Sequence, residues 1–146
     1  NVLRGCTVEN QERADSRLPI FLSLPIKHRS IICAPLLEAL DISRYLSRDI
    51  EEVSVGGESG REARVCDYDW ILDIRQQCVA ANVPFCFHQT GAHFIKQGRS
   101  YNIPRDHQIS QANRAGIDFR LDSRGIPETV SYNEQPELQC LLSEFS

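Results

Sequence analysis

The chain has 146 residues, 41% of them apolar, which is one domain's worth and enough to form a core. A net charge of −4 and a pI near 5.5 argue against a protein dominated by phosphate-backbone binding, although a local basic patch is compatible with both. No apolar run approaches the roughly 18 residues of a membrane span, no signal peptide opens the polar residues 1–15, and the six scattered cysteines fit neither a zinc spacing nor a CxxC pair. A cytoplasmic protein with reduced cysteines and no metal is the expectation. Methionine is absent, which suggests a processed, trimmed or excised chain.

In chain order, "NVLRGCTVEN" reads as a strand running into a polar turn. "QERADSRLPIFLSLP" is helical, broken or restarted at Pro19. "RSIICAPLL" is a buried strand ended by Pro35, and "LDISRYL" a short helix that Asp41 or Ser43 could cap. "IEEVSVGGESG" is the third strand. "DYDWILDIRQQCVAANV" is the strongest helix, with Trp70, Ile74 and Cys78 on one face, Asp67 or Asp69 as cap, and Asn82 before Pro84 as its end. "VPFCFHQTGA" is the fourth strand. Strands alternating with helices imply a parallel sheet with right-handed crossovers.

Beyond Gly91 the alternation fades. Residues 96–106 are basic and turn-rich, "HQISQANRAGI" is a short helix stopped by Gly116, and "PELQCLLSEF" a last one begun by Pro136. Lys96, Arg99, Tyr101, Arg105 and Arg114 form a basic, aromatic-bearing stretch. A solvated surface is the expected reading, ahead of nucleic-acid contact.

All strands of a parallel α/β sheet end on one edge, where ligands bind. The four ends here read Glu9-Asn10-Gln11, Cys33-Ala34-Pro35, Gly56-Gly57-Glu58-Ser59-Gly60 and His88-Gln89-Thr90-Gly91. The candidate ligand-binding residues are therefore Glu9, Asn10, Gln11, Gly56, Gly57, Glu58, Ser59, His88 and Gln89. Gly56 and Gly57 let backbone approach something closely: a phosphate assisted by Arg61 and Arg64, another ligand, or the protein's own next turn. Cys86 and His88 share a strand face, so a metal with His93, or a nucleophile pair of Cys33 or Cys86 with His88, is the further option.

The segments "TVENQERADSRLP", "VGGESG" with "EAR", "DYDWILDIRQQCVAANVPF" and "QTGA" resemble the C-terminal half of the phage-associated gp-thirty-seven/gp-sixty-eight family, over roughly residues 1–117. That resemblance implies half of a TIM-like or radical-SAM-like barrel over residues 1–95, with an irregular tail over 96–146. It implies a ligand-binding half that lacks the cysteine-cluster half, is not catalytic alone, and has S-adenosylmethionine as a cofactor by kinship only. The chain departs from the family pattern at Ala34 and His88, where an acid and a lysine are usual. The alternative is a non-enzymatic phage or defence-related interaction module. A half barrel would leave one face bare, with Val2, Ile32 and Phe87 exposed, so a homodimer or an N-terminal-half partner chain is expected to cover it.

Overall fold

The computed structural model describes residues 4–128, 142 and 145. Four parallel strands form the central sheet: β1 (Arg4–Thr7), β2 (Arg29–Cys33), β3 (Ile50–Gly56) and, after a short strand β4 (Cys66–Asp67), β5 (Phe85–Gln89). Their spatial order is β1-β2-β3-β5, the order in which the chain produces them. Helices α1 (Gln11–Ser23) and α2 (Tyr68–Ala81) make two of the crossovers. The fold is thus mixed α/β, with a parallel sheet alternating with helices as the pattern of the sequence implies.

Each helix forms where its caps and apolar spacing agree. Asn10 caps α1 by accepting from the Arg13 N–H, and Ala14, Leu18 and Phe21 bury its inner face. The helix runs through Pro19 rather than breaking there. Pro19 removes one backbone donor, and it lies on the exposed side, where water can serve the carbonyl left without a partner. Asp67 caps α2 and Asn82, at φ 58°, closes it in the left-handed conformation. The buried face of α2 is Tyr68, Ile71, Ile74 and Cys78, with Trp70 at its margin.

The expected helix at 40–46 is only a three-residue 3-10 turn, Ser43–Tyr45. Seven residues cannot satisfy their own backbone groups as a stable helix. Side chains from both flanking helices do so instead. Gln11 donates to the Asp41 carbonyl and accepts from its N–H, while Gln77 donates to the Leu40 carbonyl and accepts from the Ile42 N–H.

The basic stretch after Gly91 contains a hairpin that sequence reasoning missed. Strands β6 (His93–Lys96) and β7 (Arg99–Asn102) pair antiparallel, and β4 joins β6 to make a second, three-stranded sheet. The two connecting residues, Gln97 and Gly98, both have positive φ, which is the requirement of a tight hairpin turn. Helix α3 (Arg105–Arg114) follows, and Gly116 at φ 63° ends it as expected. Tyr68, Phe87 and Phe94 join the two sheets, with ring centroids 5.7–6.3 Å apart. The backbone of Phe119 then pairs antiparallel with Phe85, so the outer edge of β5 is covered. Of the final expected helix only Leu142 and Phe145 are among the described residues, and Cys140 lies outside them.

Register decides which sheet face is dry. Ile31, Cys33, Val53, Val55, Phe85 and Phe87 point toward the helices and are fully buried. Thr7, Ile32, Ser54 and Cys86 lie side by side on the opposite face and keep partial solvent access, as does exposed His88. The expectation that Ile32 and Phe87 share a bare apolar face is therefore corrected. Phe87 is in the core, and the accessible face is built mainly of small and polar residues. Val2 is outside the described residues.

Candidate functional site

The carboxyl ends of the four strands are stitched together beyond the sheet proper. The Leu37 N–H donates to the Glu9 carbonyl, Leu36 to Gly56, Gly57 to Gln89, and Ala92 to Glu58, all within 2.8–3.1 Å. The four polar clusters thus belong to one rigid edge. Gly57 shows why the turn needs glycine. A Cβ there would sit 2.3 Å from the Thr90 carbonyl oxygen and 2.9 Å from the Gly91 Cα. The close backbone approach is to the protein's own neighbouring turn, the third of the options the sequence left open.

Several candidate residues serve this seam. Gln89 donates to the Gly57 carbonyl, and the Ser59 hydroxyl lies 3.2 Å from Oε1 of Gln89 and 2.9 Å from Oε1 of Gln108 on α3, with one proton to share. Gln108 in turn donates to the Ile103 carbonyl, so its orientation is fixed. Asn10 is the α1 cap and Gln11 the clamp on Asp41. Gly56 packs against Gln89.

In front of the seam is a cleft of about 310 Å³ lined by Glu9, Asn10, Arg13, Arg17, Pro35, Leu37, Glu58 and Arg64. Its size is at the lower end for small-molecule sites, about 300–1,000 Å³. Glu9 sits 3.5 Å from Arg17. Glu58 takes a fork from Arg64, with Oε2 at 2.7 Å from Nη2 and Oε1 accepting from both Nε and the backbone N–H. The guanidinium beside Glu58, with that backbone N–H, holds its carboxyl below the usual range. Glu9, Asn10 and Glu58 therefore share one cleft, while Ser59 and Gln89 lie behind it in the seam. Arg13 and Arg17 escaped sequence reasoning. The available signal was their spacing, three and seven residues after Asn10, which puts both on one side of α1.

His88 does not line this cleft; it is exposed on the other sheet face from the buried Cys33, which rules out a Cys33–His88 pair. His93 bonds Asn102 instead of joining Cys86. Among the described residues no group of three or more His, Cys, Asp or Glu side chains is placed to hold a metal. Burial pushes the thiols up, to about 12 for Cys66 and Cys78 and about 11 for Cys86, so these are packing residues at neutral pH. A second cavity of about 330 Å³, lined by Arg48, Ile50, Asn82, Pro84, Leu121 and Arg124 among others, lies at the opposite, amino-terminal edge. No helix among the described residues is long and apolar enough to cross a membrane.

These features define an α/β protein with a stitched carboxyl edge and a charged cleft on it. A family model described as a protein of unknown function, DUF5131, matches residues 1–129, and the chain belongs to that family. No curated protein matches it. No solved structure matches it.

Proposed function

We propose that this chain is a small-molecule-binding protein whose ligand enters the carboxyl-edge cleft between Glu9 and Glu58. One observation carries the reading: charged side chains from the β1 end, α1 and the turn after β3 converge on a single cleft of about 310 Å³. Ligands of open parallel sheets sit at that edge. The sequential strand order fits half of a TIM-like or radical-SAM-like barrel over residues 1–95, with residues 96–146 packing on or extending it. Under this reading the protein is inactive alone, and S-adenosylmethionine enters as a candidate through the motif resemblance, as does the phage-related kinship. A second copy or an N-terminal-half partner chain would complete the accessible sheet face in the cytoplasm.

The second reading is an interaction module that has kept the fold without a ligand. It is favoured by the internal use of Asn10, Gln11, Ser59 and Gln89, all of which bond to the protein itself. Thermal shift against a panel of nucleotides and S-adenosylmethionine separates the two. The ligand-binding reading expects a member of the panel to raise the melting temperature of the wild type and not of a Glu9→Gln, Glu58→Gln double variant. A melting temperature unmoved by every compound, or moved equally in both proteins, overturns it.

A further inference from the structure

We infer that the cleft is an oxyanion site, built for a phosphate or carboxylate group. The inference rests on the reading of the cleft as a ligand site and adds the class of group it takes. The lining holds three guanidinium groups, Arg13, Arg17 and Arg64, against two carboxylates, Glu9 and Glu58. That leaves a local excess of one positive charge in a chain of net charge −4. The carboxylates are already engaged: Glu58 by the fork from Arg64, Glu9 by Arg17. Among the described residues the Arg13 side chain has neither ion pair nor hydrogen-bond partner, so its donors remain for a ligand.

The geometry of α1 acts in the same direction. Its N-terminus opens at Asn10, which lines the cleft, and the positive end of the helix dipole favours an anion there. Asn10 occupies the Arg13 N–H, so the first-turn N–H groups of Gln11 and Glu12 are the backbone donors on offer. Glu12 opposes an anion from the same turn; its side chain is exposed and absent from the lining. Arg64 bonds Glu58 through part of its guanidinium, and Arg17 donates from Nη1 to the Thr7 carbonyl at 2.7 Å while pairing with Glu9 at 3.5 Å. Each guanidinium has five donors in a planar fork, so both keep N–H groups for a second acceptor. Pro35 and Leu37 supply an apolar wall that excludes water from one side of the charges.

The test is calorimetric titration of the protein with sodium pyrophosphate and, separately, sodium malonate at constant ionic strength, with chloride as the reference. Wild type is expected to bind one of the two with a stoichiometry of one, and the preferred probe tells phosphate from carboxylate. Arg13→Gln should weaken that binding about tenfold or more, since it removes a charge-assisted contact. Arg4→Gln, at an exposed arginine at the amino-terminal end of β1 and outside the cleft lining, should leave it unchanged. Equal weakening by both variants would show only general attraction to positive charge and would overturn the inference. A nucleotide or S-adenosylmethionine that stabilises the protein equally with and without Arg13 would also overturn it, while leaving the cleft as a ligand site. No binding of either anion or of any panel member would remove both readings together.

Discussion

Replacing Gly57 by alanine should damage the fold rather than a ligand contact. The added Cβ would stand 2.3 Å from the Thr90 oxygen and 2.9 Å from the Thr90 carbonyl carbon, and both are backbone atoms that cannot rotate away. The seam between β3 and the turn after β5 must open by roughly 1 Å to admit it. Three of the hydrogen bonds that cross that seam lie beside the intruding Cβ: Gly57 N–H to Gln89 at 3.1 Å, Ala92 N–H to Glu58 at 2.9 Å, and the Gln89 side chain to Gly57 at 3.1 Å. At about 1 kcal/mol each their loss costs about 3 kcal/mol, and residual overpacking adds about 1 kcal/mol or more. For a chain of this size, about 4 kcal/mol lowers the melting temperature by roughly 10–15 °C. Gly60→Ala in the same turn is the comparison, because its Cβ would meet open space and only its φ of +110° is unfavourable. It should cost about 1 kcal/mol. Urea unfolding of the three proteins measures the difference. A Gly57→Ala variant as stable as wild type, or no worse than Gly60→Ala, would refute the account of the turn.

Gln11→Ala should lose about 1–2 kcal/mol in urea unfolding, because it leaves both backbone groups of Asp41 without their partner; an unchanged midpoint would deny the clamp. Glu58 has a folded-state pKa depressed by Arg64, so its stabilising effect is present above its unfolded value near 4.5 and fades as pH falls through the folded one. The stability gap between wild type and Glu58→Gln should therefore be widest above about pH 5 and shrink on acidification below it, and a gap that widened on acidification would contradict the pairing. In native protein at neutral pH, a maleimide should label partly exposed Cys6 and Cys86 before the buried Cys33, Cys66 and Cys78. Early labelling of Cys33 would contradict the assignment of the dry sheet face.

The parallel sheet was legible because each strand ends on a polar or glycine-bearing turn, and the helices because Asn10, Asp67 and Asn82 stand where caps belong. The face on which Phe87 and Ile32 lie was not. Alternation says that neighbours along a strand point apart, but only register between strands says which residues share a face. Here Ile32 aligns with Ser54 and Cys86, away from Phe87. The hairpin at 93–102 was hidden because its strands have four residues each and its turn uses Gln97 where Asn or Gly is the usual signal. At the site, Glu9, Asn10 and Glu58 could be brought together from strand ends alone. Asn10 and Gln11 also looked like ligand residues because a cap or a clamp uses the same side chains as a binding site. Arg13 and Arg17 sit within a helix rather than at a strand end, so a comparison of strand ends passed over them.

The central claim is that a ligand occupies the carboxyl-edge cleft, and the backbone amide spectrum of the nitrogen-15-labelled protein tests it most directly. On titration with pyrophosphate, malonate, nucleotides and S-adenosylmethionine in turn, the account predicts saturable shifts for a bound compound. They should centre on the amides of Asn10, Arg13, Leu37, Glu58 and Arg64. Shifts centred on Asn82, Leu121 and Gly125 at the opposite edge, or none at millimolar concentrations of any probe, would contradict it.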